Sequence, residues 1–530
     1  MTHPYPTLIA VAAGAAAFSV GIRWGTFAAG GSDSSCYLNE ARLFSHGLTH
    51  IEEPLVNVAS WPDAAWTFTP AGHIPSPTRP DFIVPMCPPG LPLIMAAARR
   101  VRLSEFLVVP LCGALAVWLT FLLGRRLDEP ATGAAAAVLV ACSPIFLFQV
   151  VQPMTDVPAA AWWLLVAVLA IGPAEGRGRP FAAGLAASIA VLTRPNLLPL
   201  AAIVAVFVAL SRVGVAQAFR PANAALKRCA TLAAQALWFV AGAAPGLVLL
   251  AILQTQMYGS PLATGYGAPG DLFATAHAIE NLSRYAWWLV DTHTPAIVLA
   301  FAAPFLVRRR GAAWLCVALA VATLALYLPY QVFDAWWYLR FLLPAIPFLV
   351  VLMTIVLSRI ASYVLPRPSG VLVAIAVALL GNLWVTTART RSAFELRRLE
   401  HHFLDAGMFA AEHLPRHAAV LTVRHSGSVQ YYTQRPTISW DTLDPGSLDR
   451  TLAFLRAHEL TPILLLDIAE EEEFRTRFQK ASSIGQLDWP PLARVGRTIR
   501  VYDPGDRARY FAGALIQTID WPPDERARRR

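Results

Sequence analysis

Apolar and polar positions are unevenly distributed along this chain. Most of residues 104–388 is apolar and broken only by short polar turns, whereas residues 389–530 mix the two kinds. A membrane-spanning helix needs about 20 apolar residues. Runs of that kind fall at 8–30, 105–123, 131–150, 157–172, 180–193, 196–211, 229–253, 287–307, 312–330, 341–357 and 370–388, which predicts eleven spans. TRPNLLPL at 193–200 interrupts a short pair among them. Beyond 388 the spacing changes. Residues 393–414, 447–460 and 468–480 carry helical periodicity, and 419–424, 461–468 and 497–503 read as strands. The pattern therefore predicts a polytopic α-helical membrane domain over 1–388, followed by a layered α/β domain over 389–530.

Between the first two runs lies a long loop, 31–104. Its stretch NEARLFSHGL reads as a short amphipathic helix lying along a membrane surface. PTRPDFIVPMCPPGLPLIMAAARRV at 77–101 is broken by Pro80, Pro85, Pro88 and Pro89 and then resumes as a second short helix. Arginine placement sets the orientation. Arg125, Arg126, Arg177, Arg179, Arg212 through Arg228, Arg308 to Arg310, Arg359 and Arg367 fall on one side, while the opposite short loops hold few Arg and no Lys. The positive-inside rule then puts the amino terminus inside and residues 389–530 outside. The first run has only His3 before it, so it reads as an anchor rather than a cleaved leader, although AAG at 28–30 resembles a cleavage site.

Composition narrows the function classes. The chain is 56% hydrophobic and 15% charged, against about 25% charged for soluble domains. A net charge of +9 invites a nucleic-acid reading, but Arg in short loops between apolar runs sets topology and does not bind a polyanion. The basic end DERARRR at 524–530 reads as a solvated or lipid-contacting tail. Cys112, Cys142, Cys229 and Cys316 lie in or beside apolar runs and read as small buried residues. Cys36 and Cys87 share the outer loop, where a disulfide is chemically feasible but spacing alone leaves it open. There is no CxxC or HExxH spacing, and neither GxGxxG nor a P-loop occurs after 388.

Four features carry candidate chemistry on the outer side. Asp33 stands where the first run meets water, with Tyr37 one turn on. It activates an acceptor, or else it is the N-cap of the following helix. Asp156 in QPMTDVPA holds the outer junction of the third and fourth runs, with helix capping again the alternative. Two such carboxylates suit a cation, or a hydroxyl or amine oriented for attack with one of them as base. Arg194 in LTRPN and Arg340 in DAWWYLRFLLP are cations at membrane depth, suited to a phosphate held through two oxygens. An Arg194–Asp156 ion pair, and snorkelling of Arg340 among Trp336, Trp337 and Tyr338, are the alternatives. Last is the Gly- and Pro-rich loop YGSPLATGYGAPG at 258–270, which holds Tyr266. It brings backbone donors to a ligand or is merely flexible. His73 and His277 are loop histidines with no assigned chemistry.

These residues and their order resemble the GT-C membrane glycosyltransferases. The shared features are an Asp after the first span, two surface helices in the first outer loop, a PPG turn, an acid in an MTD context, LTRP at 192–195 and YLRFLLPAIP at 338–347. Bacterial protein O-mannosyltransferases and aminoarabinose transferases are the nearest in kind. The resemblance covers about 350 residues and leaves 389–530 aside. It implies an inverting transferase in the bacterial inner membrane, taking a sugar from a polyprenyl phosphate on the periplasmic side and giving it to a lipid, glycan or protein acceptor. It makes Asp33 the base and Asp156 the second acid. Arg340, Arg194 and Tyr338 would hold the donor phosphate, and Tyr37 and Tyr266 would contact substrate. Several relatives carry Lys or His before the paired prolines; here Cys87 stands there, which puts a metal-linked role at that position in doubt. A divalent metal is otherwise left open.

The alternatives from other classes are a transporter or flippase of lipid-linked sugars and a non-catalytic subunit of envelope-glycan assembly. The first predicts internal repeats, which the two halves do not show. Neither gives the long outer loop a task.

Overall fold

The computed structural model describes residues 4–172, 178–210, 222–365 and 369–522. The basic tail 524–530, Arg177, Arg212, Arg220 and Arg367, and the side chains of Arg228 and Cys229 lie outside the described residues. Contacts divide the chain into two compact units.

One unit comprises Met1–Gly25, Pro88–Ile252 and Gly267–Leu396 and is helical. Among the described residues six helices are long and apolar enough to cross a membrane: Tyr5–Trp24, Glu105–Leu127, Ala234–Tyr258, Arg310–Tyr327, Ile346–Val364 and Gly370–Thr390. Two bent pairs bring the number to eight, Pro130–Cys142 with Pro144–Val150 (62°) and Thr275–His293 with Pro295–Leu306 (103°). Eleven expected spans are therefore not reached by length. Proline supplies much of the reason. Pro144, Pro195 and Pro295 each open a new helical segment, because a ring nitrogen cannot donate to the preceding turn. The helices Asp156–Ile171 and Gly178–Thr193 have 16 residues each, about 24 Å at 1.5 Å per residue, against about 30 Å of hydrocarbon.

Packing in this unit is close because small residues let backbones meet. A Cβ on Gly124 would lie 2.6 Å from Gly133 Cα in the next helix. Between lipid-facing helices, such van der Waals contact replaces the hydrophobic effect as the associating force. At the sharp bend His293 is wholly buried and bonded through both ring nitrogens, to Ser143 Oγ and Thr292 Oγ1, each at 2.8 Å.

The other unit comprises Thr26–Cys87, Leu253–Tyr266 and Arg397–Arg530. Its main sheet uses β4 (Ala418–Leu421), β5 (Thr437–Ile438), β6 (Thr461–Asp467), β7 (Ala493–Val495), β8 (Ile499–Tyr502) and β9 (Ile519–Trp521), in the order β5-β4-β6-β8-β7-β9. β4 runs parallel to β5 and β6, and β6 runs antiparallel to β8. The segment expected as one helix over 393–414 is instead two, Leu396–Leu399 and His401–His413.

Residues of the long loop complete this unit. β1 (Ile51–Glu52), β2 (His73–Pro75) and β3 (Phe82–Pro85) form a small antiparallel sheet, which apolar patterning did not reveal because the strands have only two to four residues. Val56, Trp61, Phe68 and Ile83 share one apolar cluster with Leu421, Ile438, Leu464, Leu466 and Phe474. The helix Gly31–Ser45 is covered rather than one-faced, with Ser35 through Ala41 all buried. It packs on Ser426–Thr433, where Asn39 Nδ2 donates to Gly427 O at 3.0 Å and Arg42 Nη1 to Tyr431 O at 2.6 Å. The bridge left open by spacing is formed. Cys36 and Cys87 are disulfide-bonded, which over 51 residues contributes about 4 kcal/mol on the chain-entropy model.

Candidate functional site

The helical unit gathers two guanidinium groups around one turn. Asp156 is the first residue of the helix Asp156–Ile171, and Thr155, not Asp156, is its N-cap residue. Freed from capping, the Asp156 carboxylate pairs through Oδ1 with Arg194 Nη2. Both side chains are buried, at 1% and 7% exposure. Arg194 also donates from Nε to Thr155 Oγ1 at 3.4 Å and from Nη1 to the Tyr327 hydroxyl at 3.3 Å. The other Asp156 oxygen, Oδ2, makes no hydrogen bond among the described residues.

Local sequence explains the placement of Arg194. Pro195 ends the helix Gly178–Thr193 and begins a short 3₁₀ turn, so Arg194 leaves the helix with extended backbone (φ −144°, ψ 89°). The PPG turn supports it from behind: a Cβ on Gly90 would overlap the backbone of Leu192 and Thr193. Only glycine permits that approach.

Arg340 comes from the 3₁₀ segment Trp336–Leu342 and meets the same turn. Its Nη1 lies 3.4 Å from Met154 Sδ, and its guanidinium sits 5.3 Å from the ring centres of Tyr338 and Phe341. Arg194 lies 5.8 Å from the same Phe341 ring. Tyr327 stacks on Phe341 at 5.0 Å and Phe333 on Tyr338 at 3.8 Å, so the arginines share an aromatic wall. Arg340, half-buried on this apolar wall, is a weakly hydrated donor suited to an anion with several oxygens, whereas Arg194 is buried and donates to Asp156, Thr155 and Tyr327. Asp156, Arg194, Arg340 and Tyr338 thus come together in this unit.

Asp33, Tyr37 and Tyr266 belong to the other unit. Asp33 is half-buried in the first turn of Gly31–Ser45, whose N-cap residue is Gly30, so the capping alternative does not describe it. The helix dipole favours a carboxylate in that turn. Tyr37 is buried at 5% exposure. Tyr266 is half-buried in a loop held close to Met86, where a Cβ on Gly265 would overlap Met86 Cα. His73 is buried, and burial lowers its imidazole to about 4. His277 faces Pro329 O through Nδ1 at 3.3 Å.

Reading the sequence missed several participants. Thr155 and Met154 lie inside the QPMTDVPA motif, but nothing marked them apart from Asp156. A phenol inside the apolar run 312–330 was the available signal for Tyr327. Phe341 looks like any lipid-facing aromatic. Glu40 was also missed. It is fully buried beside the Cys36–Cys87 bridge, its Oε1 makes no hydrogen bond among the described residues, and burial raises its carboxyl well above the ordinary range. A metal ligated at the position before Pro88 does not fit the residues present, because the Cys87 thiol is spent in the disulfide.

No family model matches the chain, and no curated protein matches it. Solved structures do. ArnT from Cupriavidus metallidurans, bound to undecaprenyl phosphate, is 13% identical over 94% of this chain and 98% of that one, with TM-score 0.57. The archaeal oligosaccharyltransferase AglB from Archaeoglobus fulgidus, in complex with an inhibitory peptide and a dolichol-phosphate, is 13% identical over 90% of this chain and 71% of that one, with TM-score 0.52. The arabinofuranosyltransferase AftD from mycobacteria is 13% identical over 95% of this chain and 42% of that one, with TM-score 0.54. The multi-pass helical unit, its bent spans and the sheet-containing unit together give this chain the fold of the GT-C glycosyltransferases.

Proposed function

We propose that this chain is an inverting glycosyltransferase that moves a sugar from a polyprenyl-phosphate donor to an acceptor on the outer face of a bacterial inner membrane. The observation that carries the reading is the pair of guanidinium groups, Arg194 and Arg340, held on Phe341 and on the Met154–Asp156 turn within the helical unit. A polyprenyl chain cannot leave the bilayer cheaply, since each buried methylene contributes about 0.8 kcal/mol. Its phosphate must be met at membrane depth, and cations carried by the apolar helical unit suit that task.

In this reading the acceptor hydroxyl or amine attacks the anomeric carbon opposite the phosphate. The bond from carbon to phosphate oxygen breaks, the polyprenyl phosphate leaves with the bonding electrons, and the acceptor proton passes to Asp33. Charge grows on the departing phosphate, so Arg340 stabilises the transition state more than the bound donor. A phosphate leaving group needs no protonation, unlike the oxygen released by glycoside hydrolases. Asp156 acts as the second acid and holds Arg194 in register, with Tyr338 flanking the phosphate and Tyr37 and Tyr266 on the substrate side. The domain over 389–530 lies outside the membrane with the amino terminus inside, and contacts the acceptor.

The test compares envelope lipids and glycans, by mass spectrometry, of a deletion strain complemented with wild type, Asp33→Asn or Arg340→Ala. A modification restored by wild type and by neither variant is expected. Full restoration by Asp33→Asn removes the base, and an unchanged deletion strain whose purified chain releases no polyprenyl phosphate from a lipid-linked sugar removes the enzyme.

A further inference from the structure

In the sheet-containing unit, three side chains from separate elements point their donor atoms at one another. His402 is the second residue of the helix His401–His413. His425 follows β4 and is the N-cap residue of the helix Ser426–Thr433. Asp467 ends β6, the parallel neighbour of β4. One ligand atom from each lies within 4.8 Å of the others. Ligands in open α/β sheets bind at the carboxyl ends of parallel strands, and β4 and β6 deliver two of these residues there.

Neither histidine is satisfied as an ordinary core residue, and Asp467, the N-cap of the helix Ile468–Phe478, has one oxygen to spare. His425 is wholly buried, yet neither of its ring nitrogens makes a hydrogen bond among the described residues, and His402 Nδ1 is in the same condition. Leaving such a group unmade costs about 1–3 kcal/mol, so each one needs an explanation. The two rings stand at 90° with centroids 5.2 Å apart and do not stack. Asp467 uses Oδ1 to accept from Ala469 N at 3.1 Å, which leaves Oδ2 turned toward His425 Nε2 at 4.0 Å, too far for a hydrogen bond. The nearby Arg424 side chain is exposed, and Asp405 adds a second carboxylate beside His401 at 3.4 Å.

We propose that His402, His425 and Asp467 bind one Zn²⁺ ion. Two imidazoles and one carboxylate are a borderline donor set that suits zinc and not the all-oxygen cages of Ca²⁺ or Mg²⁺. Tetrahedral ligation with bonds near 2.0–2.1 Å brings ligand atoms to about 3.4 Å from one another, a closure that side-chain rotation supplies. Three protein ligands leave a fourth position for water or a substrate oxygen. This site is separate from the arginine cluster and does not depend on the reading of that cluster.

The test uses the full chain in detergent, stripped with a chelator, without reductant so that Cys36–Cys87 stays closed. Zn²⁺ is then titrated with metal content measured per chain, and Co²⁺ is used as a spectroscopic stand-in. Wild type should retain one metal, show a tetrahedral Co²⁺ absorption band and melt at a higher temperature with Zn²⁺. His402→Ala should bind at least about tenfold more weakly. Asp467→Asn, which keeps an oxygen for the helix cap, should do the same and decides the matter if His402→Ala does not fold. Glu40→Gln should bind as wild type does. Equal metal uptake by wild type and both ligand variants, no uptake by wild type, or loss of the metal in Glu40→Gln overturns the proposal.

Discussion

Removing Arg194 should destabilise the protein more than removing Arg194 and Asp156 together. Asp156 is 1% exposed, Arg194 meets it through Oδ1, and Oδ2 makes no hydrogen bond among the described residues. In Arg194→Gln the carboxylate remains buried and loses its cation, the situation that costs about 3–5 kcal/mol for buried pairs. Asp156→Asn is milder. The amide oxygen still accepts from Arg194, and the guanidinium keeps Thr155 Oγ1 at 3.4 Å and Tyr327 at 3.3 Å. In the double variant both charges are gone and two neutral amides meet, so its loss should fall below that of Arg194→Gln by about 1–3 kcal/mol. Unfolding in detergent can be followed with a thiol-reactive dye, because Cys112 and Cys316 are buried in the native helices. The reasoning fails if the double variant loses as much as the two single variants added together, because the two charges would then be stabilised independently.

Three further outcomes follow from named contacts. Arg340→Ala should lower kcat by about 10²–10³-fold with KM little changed, and Arg340→Lys should recover only part of it; a loss confined to KM would mean uniform donor binding. Gly90→Ala should cost about 1–3 kcal/mol by overpacking the Thr193 backbone and should lower activity through the displaced Arg194, whereas Gly311→Ala, with nothing within 4 Å, should do neither. Burial holds the Glu53 carboxyl up at about 7 against 4.5, opposed by the Leu55 amide. The folded chain therefore binds the extra proton between these values, and stability is full below pH 4.5 and falls as pH rises through 7. Glu53→Gln should flatten that slope and gain up to about 3 kcal/mol at neutral pH, and an unchanged slope in a pH series of melting curves would refute the assignment.

The unfolded chain already states much of this architecture, because hydropathy and proline position act locally. The apolar runs mark the helical unit, and the strands read at 419–424, 461–468 and 497–503 overlap β4, β6 and β8. LTRP and the MTD context pointed to Arg194 and Asp156 for the same reason: a charge at the junction of two apolar runs stands out without knowledge of its neighbours. Packing decided the rest. The chain leaves the Arg194–Asp156 pair and the Cys36–Cys87 bridge as open alternatives that packing settles, and nothing along it says that Arg194 also meets Tyr327 or that Arg340 shares Phe341 with it. Nor does it say that Trp61 and Phe68 share a core with Leu464 and Phe474, or that His402, His425 and Asp467 face one another. These are encounters between residues far apart in sequence. Their energies depend on burial and on the one partner within reach, which exist only once the helices and the sheet have closed around them.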